Sequence, residues 1–192
     1  MKKEYVLRAV DDEEISRLEF QHQVWQKETE IAIQNADIKL GDKVLDLGCG
    51  PGYLTFDLLK RIGNEGKVYA LDSSDKFTQF IRNQKLANIE VIQADISTGL
   101  PDVPELKSLD KVFCRWVLMF TGNLEKIIGS VFDVLKPGGK FISIEYFRFY
   151  QIDMFPKSET FDQIYLGVQK LLRNNGGDLS AGDKVHEIMR SV

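Results

Sequence analysis

The sequence predicts an α/β fold with a doubly wound, mostly parallel sheet and an N-terminal helical cap. From Lys43 onward, short apolar runs alternate with amphipathic segments of helical period, which is typical of βαβ units. A glycine-rich turn separates the first apolar run from the helix that follows it. A length of 192 residues with 43% hydrophobic residues suits one domain with its own core.

Residues 1–42 are predicted to form the cap, and residues 43–192 a single core domain. Ile15, Leu18 and Trp25 keep roughly helical spacing, and isoleucines further along the segment continue an apolar face. No strand is needed in this segment. Basic residues at the N-terminus lead straight into acidic ones without the apolar stretch of a secretion signal, so we expect a cytoplasmic protein.

Five strands follow, each short and partly β-branched, as buried parallel strands are. They are predicted at residues 44–47, 68–71, 89–93, 111–114 and 140–145. The helices between them are predicted at residues 53–62, 75–84 and 123–135. Gly63 ends the first helix and Pro137 stops the third, because proline cannot continue a helix. The segment 100–109 is predicted to be a loop with at most one helical turn.

A long amphipathic helix is predicted after the fifth strand, and a short helix at the C-terminus. Thr160 and Gln163 have the spacing of a capping box, and the helix is expected to end at Asn175. Its apolar stripe consists of Phe161, Ile164, Tyr165, Val168, Leu171 and Leu172. The short helix carries Val185, Ile188 and Met189.

The segment VLDLGCGPGY runs from a strand through a glycine turn into a helix N-terminus. Gly48, Gly50 and Gly52 permit positive φ and let a ligand lie against the backbone, although ordinary tight turns also use glycine. A dinucleotide site would use G-x-G-x-x-G and hold a pyrophosphate. Here the spacing is G-x-G-x-G, and the carboxylate of Asp46 would repel a pyrophosphate. The same carboxylate favours a ligand with an ammonium group.

Two further acids are predicted at the tips of the next two strands. Asp72, with Ser73 beside it, is placed to accept hydrogen bonds from the hydroxyl groups of a ribose. The alternative role for Asp72 is that of N-cap of the helix that follows. Asp95 would accept a hydrogen bond from the amino group of an adenine, while Ile96 packs on the adenine ring. The alternative is that Asp95 is an ordinary turn aspartate without a ligand role. Three acids at three successive strand tips favour one ligand site.

These residues resemble the class I S-adenosylmethionine-dependent methyltransferases, a Rossmann-like family, over about 43–145. The loop 46–52 is similar to the first motif of the family, Asp72 to its ribose acid, Asp95 to its adenine acid, and LKPGGK to the turn before its fifth strand. The resemblance implies S-adenosyl-L-methionine as methyl donor and S-adenosyl-L-homocysteine as product. It leaves the acceptor open.

The segment after the fourth strand is similar to the part of these enzymes that lines the methionine end of the donor. Arg115, counted with the donor site, has three interpretations: a partner of Asp46, a partner of an acceptor carboxylate, or a surface charge. Trp116 and Phe120 either wall an acceptor pocket or pack in the core. Phe20–Trp25 would fold over the donor as a lid, with a glutamine reaching the methionine carboxylate.

No residue is predicted to be obligatory for catalysis, because the sulfonium methyl is already activated and positioning suffices. For an acceptor that must lose a proton, the candidates are His22, Glu145 and Tyr146. Each has a structural alternative: a helix surface residue, a strand-end charge and a core aromatic, respectively. Family members usually end with two further strands, and nothing after Glu145 has that pattern. We expect this chain to be part of a longer protein. The alternatives are that a partner chain completes the sheet, or that the edge at the fifth strand is open and covered by the long helix.

Charge and cysteine content argue against several function classes. The 25 Lys and Arg against 29 Asp and Glu leave a scattered charge of -4, so no nucleic-acid partner is expected. Cys49 and Cys114 have no metal-ligand spacing, so they are expected to be reduced thiols and no metal site is predicted. No apolar run reaches membrane-spanning length, so no membrane association is expected.

The predicted acceptor is a small molecule. A protein that binds the donor or its product without methyl transfer is the alternative, and a nucleotide-dependent oxidoreductase is less favoured.

Overall fold

The computed structural model describes residues 12–192, so the first eleven residues of the predicted cap lie outside the described part. The helices are α1 (Asp12–Val24), α2 (Gln26–Ala36), α3 (Tyr53–Ile62), α4 (Asp75–Asn83), α5 (Leu124–Val134), α6 (Glu159–Asn174) and α7 (Ala181–Ser191). The strands are β1 (Lys43–Leu47), β2 (Lys67–Asp72), β3 (Ile89–Gln93), β4 (Leu109–Arg115) and β5 (Leu135–Ile144). Short 3₁₀ turns follow β4 and β5, at Leu118–Phe120 and Phe149–Gln151.

The five strands form one parallel sheet in the order β3-β2-β1-β4-β5. The chain moves outward from β1 through β2 to β3, then crosses to the other side of β1 and continues through β4 to β5. The direction of winding therefore reverses between β1 and β4. Ligands of such sheets bind outside the carboxyl ends of the strands at this reversal. The predicted doubly wound sheet is confirmed.

Helices cover both faces of the sheet. On one face, Leu45 and Leu47 of β1 join a large cluster with residues of α5 and α7, and on the other face Val44 packs with residues of α2 and α3. After the exposed Lys43, the rest of β1 is buried, and its residues 44–47 are apolar except for Asp46. This carboxylate is thus fixed in a rigid, central position.

β5 differs from its prediction at both ends. Leu109 of β4 pairs with Leu135, but Lys111 pairs with Lys140, so residues 136–139 bulge out of the ladder. The strand ends at Ile144 and not at Glu145. Proline and glycine in the bulge explain the difference, since they interrupt strand pairing without ending it. Within residues 12–192, β5 is the last strand, and one of its edges has no strand partner.

α6 begins earlier than the capping-box prediction implied. Ser158 is its N-cap, and the Ser158 hydroxyl accepts from the backbone N–H of Phe161 at 3.3 Å. The capping box at Thr160 and Gln163 is therefore wrong, because Thr160 already lies within the first helical turn.

Within the cap, α2 buries more of its surface against the core domain than α1 does. No residue of α1 is fully buried, whereas Ile33 and Ala36 of α2 join the core cluster beside α3. Trp25, between the two helices, is partly exposed. None of the helices in residues 12–192 has both the length and the apolar composition that crossing a bilayer requires.

Candidate functional site

The glycine turn follows β1 at the point where the sheet reverses its winding. Gly48 and Gly50 have φ of 70° and 54°, which favours glycine over residues with a Cβ. The backbone N–H groups of Gly48 and Cys49 both donate to the carbonyl of Leu71, at 2.8 and 2.9 Å, and so tie the turn to β2. A Cβ on Gly50 would meet no atom within 4 Å, so a ligand can approach this backbone closely.

Asp72 connects the tip of β2 to the glycine turn. Its Oδ2 accepts from the N–H of Gly50 at 2.9 Å, and its Oδ1 accepts from the N–H of Ser74 at 2.8 Å. Burial raises the pKa of Asp72, and these backbone donors oppose the shift. Ser74, not Asp72, is the N-cap of α4, so the N-cap alternative is wrong. Ribose binding by Asp72 stays a prediction, as does a role for the exposed Ser73.

Asp46 is almost fully buried, with 1% of its surface exposed. The hydroxyl of Thr55, in the first turn of α3, donates to Asp46 Oδ2 at 2.6 Å. Burial raises the pKa of Asp46 to about 6, against the opposing effects of Thr55 and the charge of Arg115. A cation bound beside this carboxylate would favour its ionised form.

Asp95 and Ile96 lie beyond the tip of β3. Asp95 is exposed, and its Oδ1 accepts from the N–H of Ser97 at 2.8 Å, as in a turn aspartate. Ile96 is buried in the large core cluster. The turn therefore fixes one oxygen of Asp95, and contacts of Asp95 and Ile96 with an adenine ring stay predictions.

Arg115 ends β4 beneath the cap, and most of its side chain is buried. Its Nη1 donates to Thr29 Oγ1 at 2.9 Å and lies 3.2 Å from His22 Nδ1. It forms no ion pair with any carboxylate of residues 12–192, so the pairing with Asp46 is wrong, although the two charges are close enough to affect each other's pKa. The surface-charge interpretation is wrong as well. Asp46 and Asp57 act on Arg115 only through longer-range charge interactions, which oppose the lowering of its pKa by burial.

His22 fastens the cap to the core. Its Nε2 lies 3.2 Å from Asp57 Oδ2, and its ring stacks on Tyr53. Since Arg115 can only donate, Nδ1 of His22 accepts, and Nε2 carries the proton that is donated to Asp57. Burial tends to raise the pKa of Asp57, but hydrogen bonds from His22 and Lys60 outweigh it and lower that pKa to about 2. His22 is therefore not a free surface residue.

A row of aromatic rings crosses the tips of β4 and β5. Trp25 meets Trp116, Trp116 stacks on Tyr146 at 5.6 Å between ring centroids, and Tyr146 meets Phe149. Gln21 donates to the hydroxyl of Tyr146 at 3.0 Å, and so one of the predicted lid glutamines already has a partner. The row joins the cap to the segment after β5.

Two more predicted residues are packed inside the fold. Phe120 packs against the large core cluster, which agrees with its core alternative. Glu145 is half-buried, with Oε2 of its carboxyl group fully enclosed, and its Oε1 accepts hydrogen bonds from the N–H groups of Val117 and Leu118 at 3.0 and 2.9 Å. Burial raises the pKa of Glu145 to about 7, while these N–H groups act to lower it. Glu145 is therefore not an exposed strand-end charge.

Sequence reasoning missed the residues that support this site. Thr55, Asp57 and Thr29 lie on helices whose apolar faces were recognised, but their partners are far away in the sequence. Thr55 and Thr29 are polar residues at buried positions. A polar residue on the apolar face of a helix is the signal that points to such a partner, but not to its identity.

Comparison with known proteins agrees with this geometry. A family model described as a methyltransferase domain matches residues 38–189. The chain is 33% identical over 129 residues to a demethylmenaquinone methyltransferase of Lactococcus lactis, a match that covers 65% of this chain and 49% of that protein. It is 29% identical over 150 residues to the ubiquinone/menaquinone biosynthesis C-methyltransferase UbiE of Marinomonas sp., covering 75% and 54%. The chain thus spans about half the length of these curated relatives.

Solved structures with this fold cover most of the chain. A SAM-dependent methyltransferase from Aquifex aeolicus superimposes with a TM-score of 0.63 at 22% identity, over 88% of this chain and 89% of that one. A putative methyltransferase from Bacillus halodurans gives a TM-score of 0.64 at 19% identity, over 86% and 68%. At these identities the likeness concerns the fold.

Proposed function

Because this chain belongs to the methyltransferase-domain family, we propose that it binds S-adenosylmethionine at the strand tips and transfers the methyl group to a small-molecule acceptor. The observation that carries the proposal is the glycine turn at the reversal of the sheet, with three acids at successive strand tips. The ribose lies against Asp72 and Ser73, and the adenine against Asp95 and Ile96. The ammonium group of the methionine part lies near Asp46.

The residues present fit this donor. The open side of Gly50 leaves room for a ligand on the backbone, and Asp46 supplies a negative charge for the ammonium group. Arg115 is a buried cation that pairs with no carboxylate of residues 12–192, and we assign to it the carboxylate of the methionine part. A buried charge is costly unless it is paired, so the carboxylate of the donor would supply the direct ion pair that Arg115 does not form within residues 12–192.

The bound donor supplies an activated sulfonium methyl group. The protein has to hold the acceptor in line with that group and exclude water, which requires positioning and no obligatory acid or base. The cap of residues 1–42 serves as the lid in this proposal, supported by the contacts of His22 and Thr29 with Arg115. Tyr146 faces the lid, and its hydroxyl accepts a hydrogen bond from Gln21. Burial raises the pKa of Tyr146, so we assign to it a positioning role and not the role of a base.

The acceptor is proposed to carry an aromatic ring. Trp25, Trp116 and Tyr146 form adjacent ring surfaces between the lid and the strand tips, and aromatic rings pack well against one another. The names of the matched relatives refer to quinone biosynthesis, which supports a ring-bearing acceptor. We further propose a cytoplasmic enzyme without a nucleic-acid partner, since Cys49 and Cys114 are buried unbridged thiols and the net charge is -4.

Calorimetric titration with S-adenosylmethionine, S-adenosylhomocysteine and NAD tests the proposal. Wild-type protein should bind the two sulfur ligands and not NAD, and Asp72→Ala should weaken both by about tenfold or more, since a charged hydrogen-bond acceptor is lost. Asp102→Ala is the matched control, because Asp102 is an exposed loop carboxylate that pairs with the exposed Lys107. Binding of NAD but of neither sulfur ligand would reject the donor assignment. Donor binding without turnover on any ring-bearing acceptor would favour a binding protein.

A further inference from the structure

Glu145 is a buried carboxylate that the transfer chemistry above does not use. Its Oε1 accepts two backbone hydrogen bonds, whereas its Oε2 is buried and has no hydrogen-bond partner among residues 12–192. The hydroxyl of Ser143, two residues earlier and within β5, is also buried without a hydrogen-bond partner in the described part of the chain. A buried polar atom without a partner is costly, so the fold retains Glu145 for the bonds that Oε1 makes.

Those two bonds hold the loop that leaves β4. The loop starts with Trp116, whose φ of 57° lies in the left-handed region that residues with a Cβ rarely adopt. Val117 and Leu118 follow, and both present their N–H groups to the same carboxylate oxygen. A strained backbone of this kind persists only where its surroundings fix it. Glu145 provides that fixation from the neighbouring strand.

The same loop packs directly on the glycine turn. A Cβ built on Gly48 would lie 2.3 Å from Cγ2 of Val117, a distance that no real Cβ contact shows. The side chain of Val117 therefore rests against the backbone of Gly48. A displacement of the loop would move the turn whose N–H groups hold Asp72 and β2, and would change the surroundings of Arg115.

We propose that Glu145 is a positioning residue that sets the affinity for the methyl donor by fixing the loop 116–118 against the glycine turn. This role rests on the proposed function, because it concerns the same donor site. It acts through a chain of three contacts: carboxylate to loop N–H groups, Val117 to Gly48, and the glycine turn to the donor. Glu145 touches neither the donor nor the acceptor in this role.

The test compares substitutions at Glu145 by titration with S-adenosylhomocysteine. Glu145→Ala removes the acceptor, and we expect its affinity to fall about tenfold or more, since the two hydrogen bonds that hold the loop are lost. Glu145→Gln keeps an oxygen that accepts the same two N–H groups, and its affinity should stay within about threefold of wild type. Ser143→Ala is the matched control, because it removes a neighbouring buried oxygen that makes no hydrogen bond within residues 12–192, and it should bind as wild type.

A second variant covers the case in which Glu145→Ala does not fold. Val117→Gly leaves the carboxylate and its two N–H donors in place but removes the packing on Gly48, and it should also weaken binding. The near-ultraviolet circular dichroism of the tryptophans should change in Glu145→Ala and return in Glu145→Gln, because Trp116 begins the loop.

The outcomes separate the two proposals. Wild-type protein that binds no S-adenosylhomocysteine would reject the donor site, and the role of Glu145 with it. Wild-type binding that is matched by Glu145→Ala and Val117→Gly would reject the positioning role alone. An equal loss in Glu145→Gln and Glu145→Ala would also reject it, because the retained oxygen should suffice.

Discussion

Thr55 donates its hydroxyl proton to Asp46 at 2.6 Å, at a position where both side chains are buried. Thr55→Val keeps the shape of the side chain but leaves the carboxylate without this donor. We expect a loss of about 1–3 kcal/mol in the free energy of unfolding, and weaker donor binding at neutral pH because the pKa of Asp46 rises further. Urea unfolding and calorimetry measure the two effects. Thr55→Ser keeps the hydroxyl, so a similar loss of donor affinity in that variant would contradict this explanation.

Glu145 gives a prediction about stability and pH. Its pKa in the folded protein is about 7, raised from 4.5 by burial, so the folded state favours the protonated acid. The stability from this group is fully present below pH 4.5 and is lost as pH rises through about 7. The loss is about 3 kcal/mol, because one pKa unit corresponds to about 1.4 kcal/mol.

Glu145→Gln cannot lose a proton, so its free energy of unfolding relative to wild type should increase as pH rises across this window. Asp46 titrates in both proteins and cancels in the comparison. Urea unfolding of both proteins at pH 5 and pH 8 measures the difference, and a difference independent of pH would contradict the raised pKa.

Individual site residues were predictable where the backbone pattern alone determines their place. Asp46, Gly48 and Asp72 sit at strand tips or in the turn between strand and helix, and the apolar runs locate those tips. Their partners were not predictable, because the bond from Gly50 to Asp72 and the bond from Arg115 to Thr29 depend on how distant segments pack. For Arg115 the sequence left three interpretations, and the contact with the cap was not among them.

At the scale of secondary-structure elements, α1 depends on polar contacts because it has no fully buried residue. His22→Ala removes the bridge between Asp57 and Arg115, so the amide hydrogens of α1 should exchange faster while those of β1 do not change. Hydrogen-exchange mass spectrometry measures this. Gln23→Ala is the matched control on the same helix, since Gln23 is exposed. Equal exchange in both variants would show that His22 does not fasten the cap.

α6 shows that an apolar stripe in the sequence does not define the buried face. Leu172 is buried, whereas Ile164, in the same predicted stripe, is 63% exposed. Leu172→Ala should therefore cost about 2–5 kcal/mol of the free energy of unfolding, and Ile164→Ala within about 0.5 kcal/mol. Chemical denaturation distinguishes the two. A comparable cost at Ile164 would mean that its apolar surface is covered in solution.

Element positions were predictable because helical and strand periods differ so clearly in this chain. The ends were less predictable, since the start of α6 depends on a single side-chain bond from Ser158, and the start of β5 on pairing with β4. Both depend on geometry that periodicity does not contain.

For the whole molecule, the order of the strands brings residues from both halves of the sequence to one edge. The proposed donor contacts the tips of β1, β2 and β3 together with Arg115 at the end of β4, so its binding should stabilise the domain as a unit. At a concentration of S-adenosylhomocysteine about 100 times its Kd, we expect a gain of about 2.7 kcal/mol. Thermal unfolding with and without the ligand measures the gain, with NAD as control. A stabilisation confined to one half of the sheet would contradict a site across the reversal.

The sequence predicted the class of sheet, but it did not predict the order of the strands within the sheet. Alternating strands and helices imply a parallel sheet wound in both directions, and the glycine turn after the first strand favours a site at its tip. Which strands lie at the edges depends on how distant segments pair, and in the structure these strands are β3 and β5.

The bulge of residues 136–139 lies at the amino end of β5, and in a parallel sheet this end is opposite the carboxyl edge where the glycine turn lies. Pro137 and Gly138 are exposed there, while Lys136 is paired with Asp110. An epitope tag or a fluorophore attached at Gly138 would therefore report on the protein in a cell without obstructing ligand entry. The same position offers a point for immobilising the protein on a sensor surface with its proposed lid facing the solution.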